Sequence, residues 1–189
     1  MVFVRLTPAH LADVSMLLLD PRVGKTLWPG QDPPTRVQLI ERLALQSEHW
    51  DRYGFGLWLL RDRQTGEMVG RGGLQHTLVT GRQEVEVGWA IVPERWGQGL
   101  ATELARASLR AGFDELGLPE VIAFTLPYNI ASRRVMEKTG FAYAGEVEHV
   151  GLPHVLYRRT AGAAPDTAPT AGGSPMTWDT SHRASAGGR

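Results

Sequence analysis

The stretch Val85–Glu103 constrains this fold more than any other part of the chain. It opens as an alternating apolar run, Val85, Val87, Trp89 and Ile91, breaks at Pro93, passes through Gly97-Gln98-Gly99, and then takes up helical spacing with Leu100, Ala101, Leu104 and Ala105. That is a strand, a tight loop and a helix. The first backbone N–H groups of such a helix lack intrahelical partners, and with the macrodipole they form a site for an anion such as a phosphate. The two glycines have no Cβ, so a ligand can approach the backbone and the chain can take dihedrals that other residues resist. Gly-x-Gly after a strand serves equally as a plain turn, so the reading needs support from elsewhere.

Around this junction the chain reads as an α+β domain. Val2–Leu6 is a short strand, and Thr7-Pro8 opens a helix carrying Leu11, Val14, Leu17 and Leu18 until Asp20-Pro21 stops it. The segment Arg22–Pro34, with Gly24, Trp28, Pro29, Gly30, Pro33 and Pro34, reads as a long loop. Within it Trp28 either tucks into the edge of the core or lines an acceptor pocket. Thr35 to about Asp51 is a second helix, with Leu39, Ile40, Leu43 and Leu45 on or near its buried side. Phe55–Arg61, Met68–Leu74 and Glu84–Val92 follow as an antiparallel meander. After the Gly97 helix come a strand at Val121–Leu126, a helix from Asn129 to Thr139 capped by Gly140, and a final hairpin, Phe141–Val147 with Val155–Arg159. The strands ending at Val92 and beginning at Val121 can lie parallel, joined by a right-handed crossover. From Ala161 to Arg189 the chain turns to Ala, Gly, Pro, Ser and Thr, which bury too little to offset ordering; the domain is expected over residues 1–160 with a disordered tail at 161–189.

Composition narrows the function. Lys and Arg (20) balance Asp and Glu (20), which offers nothing to an extended polyanion and argues against nucleic acid. With 0 Cys, disulfides, thiolate metal sites and cysteine nucleophiles are excluded, and the 6 His show no metal-ligand spacing. No apolar run reaches membrane-spanning length, and the N-terminus lacks the regions of a signal peptide, so a cytoplasmic protein without a membrane partner is expected, as monomer or homodimer.

Two motifs in order, Trp96-Gly97-Gln98-Gly99-Leu100-Ala101-Thr102-Glu103 and Asn129-Ile130-Ala131-Ser132 continuing to Glu137-Lys138-Thr139-Gly140-Phe141, carry a resemblance. Over roughly Val2–Arg159 the chain resembles the GNAT superfamily of N-acetyltransferases, and within it the branch of ribosomal-protein N-terminal alanine and serine acetyltransferases. The resemblance implies a mixed, mainly antiparallel sheet with one parallel pair splayed apart at a cofactor cleft, and helices on both faces. It implies acetyl-CoA as co-substrate and no metal. The amides of Gly97, Gln98, Gly99 and Ala101, with Thr102, would hold the pyrophosphate, with Trp96 opening the loop where relatives place Arg or Gln. The pantetheine arm would pair with the backbone of Ile91 and Val92, and Asn129 would reach it from the other side. The Tyr that many relatives use to protonate the leaving thiolate falls on Met136, which cannot donate. Ser132 is the substitute hydroxyl, or else an ordinary helix N-terminal hydrogen-bonder.

Acetyl transfer needs a deprotonated amine, a polarised carbonyl and an exit for the thiolate. Glu86 is the candidate base: with Glu84 it puts two carboxylates on one face of a half-buried strand, which is out of place unless they are paired or used. Glu86 reads alternatively as a salt-bridge or solvated residue, and Glu84 as structural. His149 and His154 flank the last turn, where relatives border the acceptor, and His149 is a candidate substrate contact or an ordinary strand-end residue. At pH 7 an α-amine of pKa about 7.7–8.0 costs about 1 kcal/mol to deprotonate and a lysine near 10.4 about 4.6 kcal/mol, so a protein N-terminus or another low-pKa amine is the easier acceptor. Two other readings stand beside this one: a catalytically silent acetyl-CoA-binding sensor, and a doubly wound nucleotide-binding protein. The second is disfavoured by the meander and by Thr102 where a third Gly would sit.

Overall fold

The structure is a computed structural model that describes residues 1–162. Seven strands form one sheet in the order β1-β2-β3-β4-β5-β7-β6. They are β1 (Val2–Arg5), β2 (Leu57–Arg61), β3 (Met68–Val79), β4 (Arg82–Ile91), β5 (Glu120–Thr125), β6 (Ala142–His149) and β7 (Leu152–Thr160). Every neighbouring pair is antiparallel except β4 and β5. The expected mixed, mainly antiparallel sheet with one parallel pair is therefore present, flanked by helices α1 (Leu11–Leu18), α2 (Pro21–Leu27), α3 (Arg36–Tyr53), α4 (Leu100–Arg110) and α5 (Ile130–Lys138).

Strand alternation sorts the core into two layers. Leu57, Leu59 and Ala90 point to the face where Leu6, Val14, Leu17, Leu18, Leu39 and Leu43 gather from α1 and α3. Trp58, Leu60, Val69 and Ile91 point to the opposite face, against Leu104 and Ala111 of the α4 segment, and Leu74, Val87, Val121 and Ala123 continue that layer toward Met136 of α5. Close packing of α4 depends on Gly72: a Cβ there would lie 2.4 Å from the Gly88 carbonyl and 2.5 Å from Leu104 Cδ2. Among the described residues no helix is long and apolar enough to cross a membrane.

Three local expectations are corrected. Arg22–Pro34 is not a continuous loop: Pro21–Leu27 form α2, with Asp20 as N-cap accepting from the Arg22 N–H at 2.8 Å and Pro21 in the first turn. Ile40 (43% exposed) and Leu45 (62%) of α3 face solvent, leaving Leu39 and Leu43 buried. The β3–β4 hairpin is longer than the meander suggested and closes through Thr80 (φ 50°) and Gly81 (φ 76°), a turn whose left-handed residues match the strand twist. The tail expected at 161–189 lies, apart from Ala161 and Gly162, outside the described residues.

The β6–β7 hairpin turns through Val150 (φ 52°) and Gly151 (φ 73°). A β-branched residue in the left-handed region is strained, and Val150 is exposed, so its side chain returns little for that cost. Val150→Asn should stabilise the fold by about 0.5–1 kcal/mol, raising Tm by a few degrees in a thermal melt. Gly72→Ala should do the reverse and lower stability by about 1–3 kcal/mol, because neither the β4 backbone nor α4 can yield.

Candidate active site

The parallel strands β4 and β5 share a single register pair, Glu86 with Ile122. Beyond it they part. On the other side of β4 the Val92 N–H donates to the Val69 carbonyl at 3.0 Å, so alternation turns the N–H and C=O of Trp89 and Ile91 toward the space β5 has left. The Ile91 carbonyl is taken by Trp96 Nε1 at 2.7 Å. The Val92 carbonyl accepts from the Arg95 N–H at 2.9 Å, so both backbone groups of Val92 are committed. What remains for a ligand in the gap is the N–H of Trp89 and of Ile91 and the carbonyl of Trp89.

At the C-terminal end of β4 the loop reaches α4 through Gly97 (φ 76°) and Gly99 (φ 80°). A Cβ at either position would meet nothing within 4 Å, so glycine is required there by the dihedral angle and not by crowding. Gly99 is the N-cap and contributes no side chain. The first intrahelical bond runs from the Glu103 N–H to the Gly99 carbonyl at 3.0 Å, leaving the amides of Leu100, Ala101 and Thr102 without intrahelical acceptors. Arg95 braces the loop, donating to Gln98 Oε1 at 2.9 Å and to Asp62 Oδ2 at 2.7 Å. The Arg95 hydrogen bond, with the amides of Gln64 and Thr65, holds the Asp62 carboxyl down at about 2. The Gln98 side chain is thus spent on the loop, and its backbone is what it can offer a phosphate.

Across the gap, Asn129 caps α5: its Oδ1 accepts from the Ser132 N–H at 3.2 Å, and its Nδ2 donates to Thr125 Oγ1 at 2.9 Å and Ser132 Oγ at 3.1 Å. Both amide protons of Asn129 are used, which leaves its carbonyl oxygen a free lone pair. Ser132 Oγ receives one bond and keeps its own proton to donate. Met136 is buried under α4 and offers nothing to the gap.

Glu86 points to the α1–α3 face. Its Oε1 is the one atom that a Cβ on Gly88 would approach within 4 Å, at 3.5 Å, so the carboxyl leans over otherwise open space above Gly88. Gln46 Nε2 of α3 donates to Gln75 Oε1 at 3.0 Å, and Gln75 Nε2 donates to Glu86 Oε2 at 3.2 Å. Burial raises the Glu86 pKa to about 7, against the downward pull of the Gln75 hydrogen bond and the Arg71 charge. Glu84 is tied to Arg158 at 3.0 Å, and Arg158 also pairs with Glu120, so Glu84 is structural. Trp28 packs on the core, donates from Nε1 to the Leu18 carbonyl at 3.2 Å, and carries the Arg42 guanidinium 4.6 Å above its ring. His149 packs against Phe124 and His154 at ring separations of 4.7 and 5.6 Å, on the same face as Glu86, and burial followed by the His154 charge lowers its pKa. Tyr128 OH, donating to the Lys25 carbonyl at 3.2 Å, ties the loop after β5 to α2.

The structure thus places Glu86, Trp89 and Ile91 on β4, the Gly97–Thr102 segment after it, and Asn129 and Ser132 after β5, whereas Trp28 is packed on the core and His149 against Phe124 and His154. Sequence reasoning missed Gln46, Gln75, Arg42 and Arg71. For Arg71 a signal was present: one charge in Gly70-Arg71-Gly72-Gly73, on a strand with buried neighbours, is as anomalous as Glu86. Among the described residues no group of three or more His, Asp or Glu could hold a metal ion.

A mostly antiparallel sheet opened at one parallel pair, with a glycine loop and a bare helix N-terminus at the opening, defines an acyl-transferase type of architecture. Residues 1–142 match the acetyltransferase (GNAT) domain, and the chain belongs to that family. It is 36% identical over 107 residues to YkkB of Bacillus subtilis (57% of this chain, 62% of that protein), and 40% identical over 146 residues to FsC-acetyl coenzyme A-N(2)-transacetylase of Aspergillus fumigatus (71% and 59%). It spans about six-tenths of the length of these relatives. Among solved structures, a GNAT-family acetyltransferase of Bordetella pertussis superposes with TM-score 0.74 at 26% identity, covering 84% of this chain and 94% of that one. The fold is shared with aminoglycoside acetyltransferase AAC(6')-Ib, in a complex with paromomycin and acetyl-CoA (TM-score 0.69, 20% identity, 84% and 92% covered). It is shared too with the ribosomal-protein-S5-alanine acetyltransferase of Vibrio fischeri (TM-score 0.66, 17% identity, 85% and 92% covered).

Glu86 makes a prediction about stability. Its folded pKa lies above the ordinary carboxyl value of 4.5, so between about 4.5 and 7 the folded state binds more protons than the unfolded one and stability falls as pH rises. Glu86→Gln, which does not titrate, should melt above the wild type at pH 8 by at least about 2–4 °C, the shift for about 1 kcal/mol in a chain of this size. The difference should close by pH 4.5. A constant difference across that range would show that Glu86 is not held by burial.

Proposed function

We propose that the protein transfers the acetyl group of acetyl-coenzyme A to a primary amine. The observation that carries this reading is the position of Glu86: a carboxyl of pKa about 7 leaning over open space at Gly88, one residue from the unpaired N–H of Trp89. Acetyl-coenzyme A would supply the thioester, whose C–S bond breaks as the amine nitrogen forms the new C–N bond. The amides of Leu100, Ala101 and Thr102, with the Gly97–Gly99 backbone, suit a pyrophosphate because several converging N–H groups are needed where each helix-terminal charge interaction contributes about 0.3–1 kcal/mol. Glu86 takes a proton from the acceptor's ammonium, directly or through a water, and so frees the nitrogen lone pair that attacks. The N–H of Trp89 or Ile91 stabilises the charge gathering on the thioester oxygen, a donor of the kind whose removal elsewhere costs about 2.7–4 kcal/mol. Ser132 relays a proton to the departing thiolate, taking one from water as it gives its own.

A base of pKa about 7 is well matched to an amine of pKa near 8 and poorly matched to a lysine side chain, which favours an α-amine or a small amine of lowered pKa. The name of the Aspergillus relative, an N(2)-transacetylase, supports nitrogen as the acceptor atom. Met136, buried where many relatives carry the proton-donating Tyr, favours a second reading, an acetyl-coenzyme A sensor without turnover.

The first test is a thermal melt with and without excess acetyl-coenzyme A, with dephospho-CoA and ATP as controls. Acetyl-coenzyme A at about a hundred times its Kd should stabilise the fold by about 2.7 kcal/mol while ATP does not. No shift would remove both readings. Acetyl transfer to an amine panel then separates them. For an enzyme, Glu86→Gln should lower kcat by about 10²–10⁴ with little change in acetyl-coenzyme A affinity, and kcat/KM of the wild type should rise with pH through an inflection near 7 as Glu86 deprotonates. A protein that binds the thioester but acetylates nothing, before or after the substitution, is the sensor.

A further inference from the structure

The acceptor side of the cleft carries two guanidiniums, those of Arg71 and Arg42, that form no ion pair among the described residues. Along the face that presents Glu86, β3 and β4 place three cross-strand pairs in succession: Gln75 opposite Glu86, Gly73 opposite Gly88, and Arg71 opposite Ala90. The middle pair has no side chains; Gly73 is buried beneath the Gly56 carbonyl and the Trp58 ring, and the open floor lies above Gly88, with a carboxyl on one side and a guanidinium on the other. The outer pairs are four residues, about 13 Å, apart along the strands.

Arg71 is unusual in two respects. Among the described residues it has neither a hydrogen-bond nor an ion-pair partner, and its Nε is buried without one. Burial lowers its pKa to about 10, with the Glu86 charge opposing and the Arg42 charge adding to the fall, so it remains charged at neutral pH. Arg42, which adds to that charge, comes from α3 and is propped on the Trp28 ring at 4.6 Å. It has no carboxylate partner among the described residues either. Four other arginines hold carboxylates directly: Arg22 with Asp20, Arg61 with Asp13, Arg95 with Asp62, Arg158 with Glu84. An unsatisfied buried guanidinium is costly, and a second cation near enough to act on it adds to that cost.

We infer that this floor is the acceptor subsite and that Arg71 and Arg42 receive a carboxylate of the acceptor, which makes the substrate a free amino acid, its amine toward Glu86 and its carboxylate toward the arginines. The inference rests on the acetyl-transfer reading and narrows its amine to one class. The pairing is also chemically useful. A carboxylate beside an ammonium raises the pKa of that ammonium and opposes its deprotonation. Two guanidiniums that neutralise the carboxylate, themselves positive, bring the bound amine back toward the range that Glu86 can serve. A peptide N-terminus, whose first carboxylate is an amide, and a polycationic aminoglycoside both leave the arginines unsatisfied.

The test is acetyl transfer from acetyl-coenzyme A to free amino acids, each paired with its own carboxamide, with an Ala-led peptide and an aminoglycoside as further acceptors. Intrinsic reactivity favours the carboxamide, whose amine is less basic. The wild type should nevertheless prefer the free acid by about 10–100-fold in kcat/KM, the range of a charge-assisted hydrogen bond. Arg71→Gln should raise KM for the acid by a similar factor, leave the carboxamide nearly unchanged, and keep the melting shift with acetyl-coenzyme A. Arg42→Gln, at an exposed residue, should give a smaller loss in the same direction and keeps the test open if Arg71→Gln folds poorly. Equal use of acid and carboxamide, better use of the peptide or the aminoglycoside, or a preference that survives both substitutions would overturn the inference while leaving acetyl transfer intact. If no amine is acetylated the acetyl-transfer reading fails, and a melting shift by the free acid, absent with the carboxamide and lost in Arg71→Gln, still decides whether the carboxylate subsite exists.

Discussion

Strands β4 and β5 run parallel and meet at one register pair, and the chemistry of this fold follows from how early that ladder stops. Had pairing continued, the N–H of Trp89 and Ile91 would be spent on β5 and the sheet would present a closed surface. Stopping at Glu86 opposite Ile122 leaves those donors facing a gap that no backbone fills, and an unpaired buried N–H is costly unless something accepts from it. Trp96 takes the Ile91 carbonyl, which leaves two N–H donors and the Trp89 carbonyl along the gap. A ligand that can both accept and donate, as an amide does, is what such an edge can hold.

The two faces of the sheet divide the work. On one, α4 approaches closely enough that Gly72 cannot carry a side chain, and that contact fixes the bare helix N-terminus beside the end of β4. On the other, α1 to α3 pack on Leu57, Leu59 and Ala90 but leave open space above Gly88. The bare helix N-terminus and the Glu86 carboxyl thus stand on opposite sides of one strand, β4, on either side of the gap. Stability is given up at this place: a carboxyl raised to about 7 and a guanidinium lowered to about 10 are both held by burial against their own solvation.

Much of this was legible in the residues because it depends on local rules. Gly97 and Gly99 announce left-handed dihedrals, Asn129 announces a helix cap, and Glu86 is a carboxylate on an apolar strand. What escaped depends on contacts distant in sequence. Helix α2 is short and carries Gly24 in its middle, so its propensity is weak; it stands because Asp20 caps it and Val23 and Leu27 pack on the core. Ile40 and Leu45 have the spacing of a buried face, but the sheet reaches only Leu39 and Leu43. The relay from Gln46 to Gln75 to Glu86 joins positions 29 and 11 residues apart, and no spacing rule connects a helix to two strands in that way.

The same reasoning bears on how the thiolate is protonated. Met136 is buried among Leu109, Val121 and Tyr157, so a tyrosine there would have to displace packed core to bring its hydroxyl to the gap. The first turn of α5 has no such conflict. Asn129, held by Thr125 at the end of β5, donates to Ser132 Oγ and so fills one lone pair of the hydroxyl, directing its remaining proton outward. The hydrogen-bond chain from β5 through Asn129 to Ser132 therefore lets the strand that diverges from β4 also set the orientation of a donor at the gap it creates.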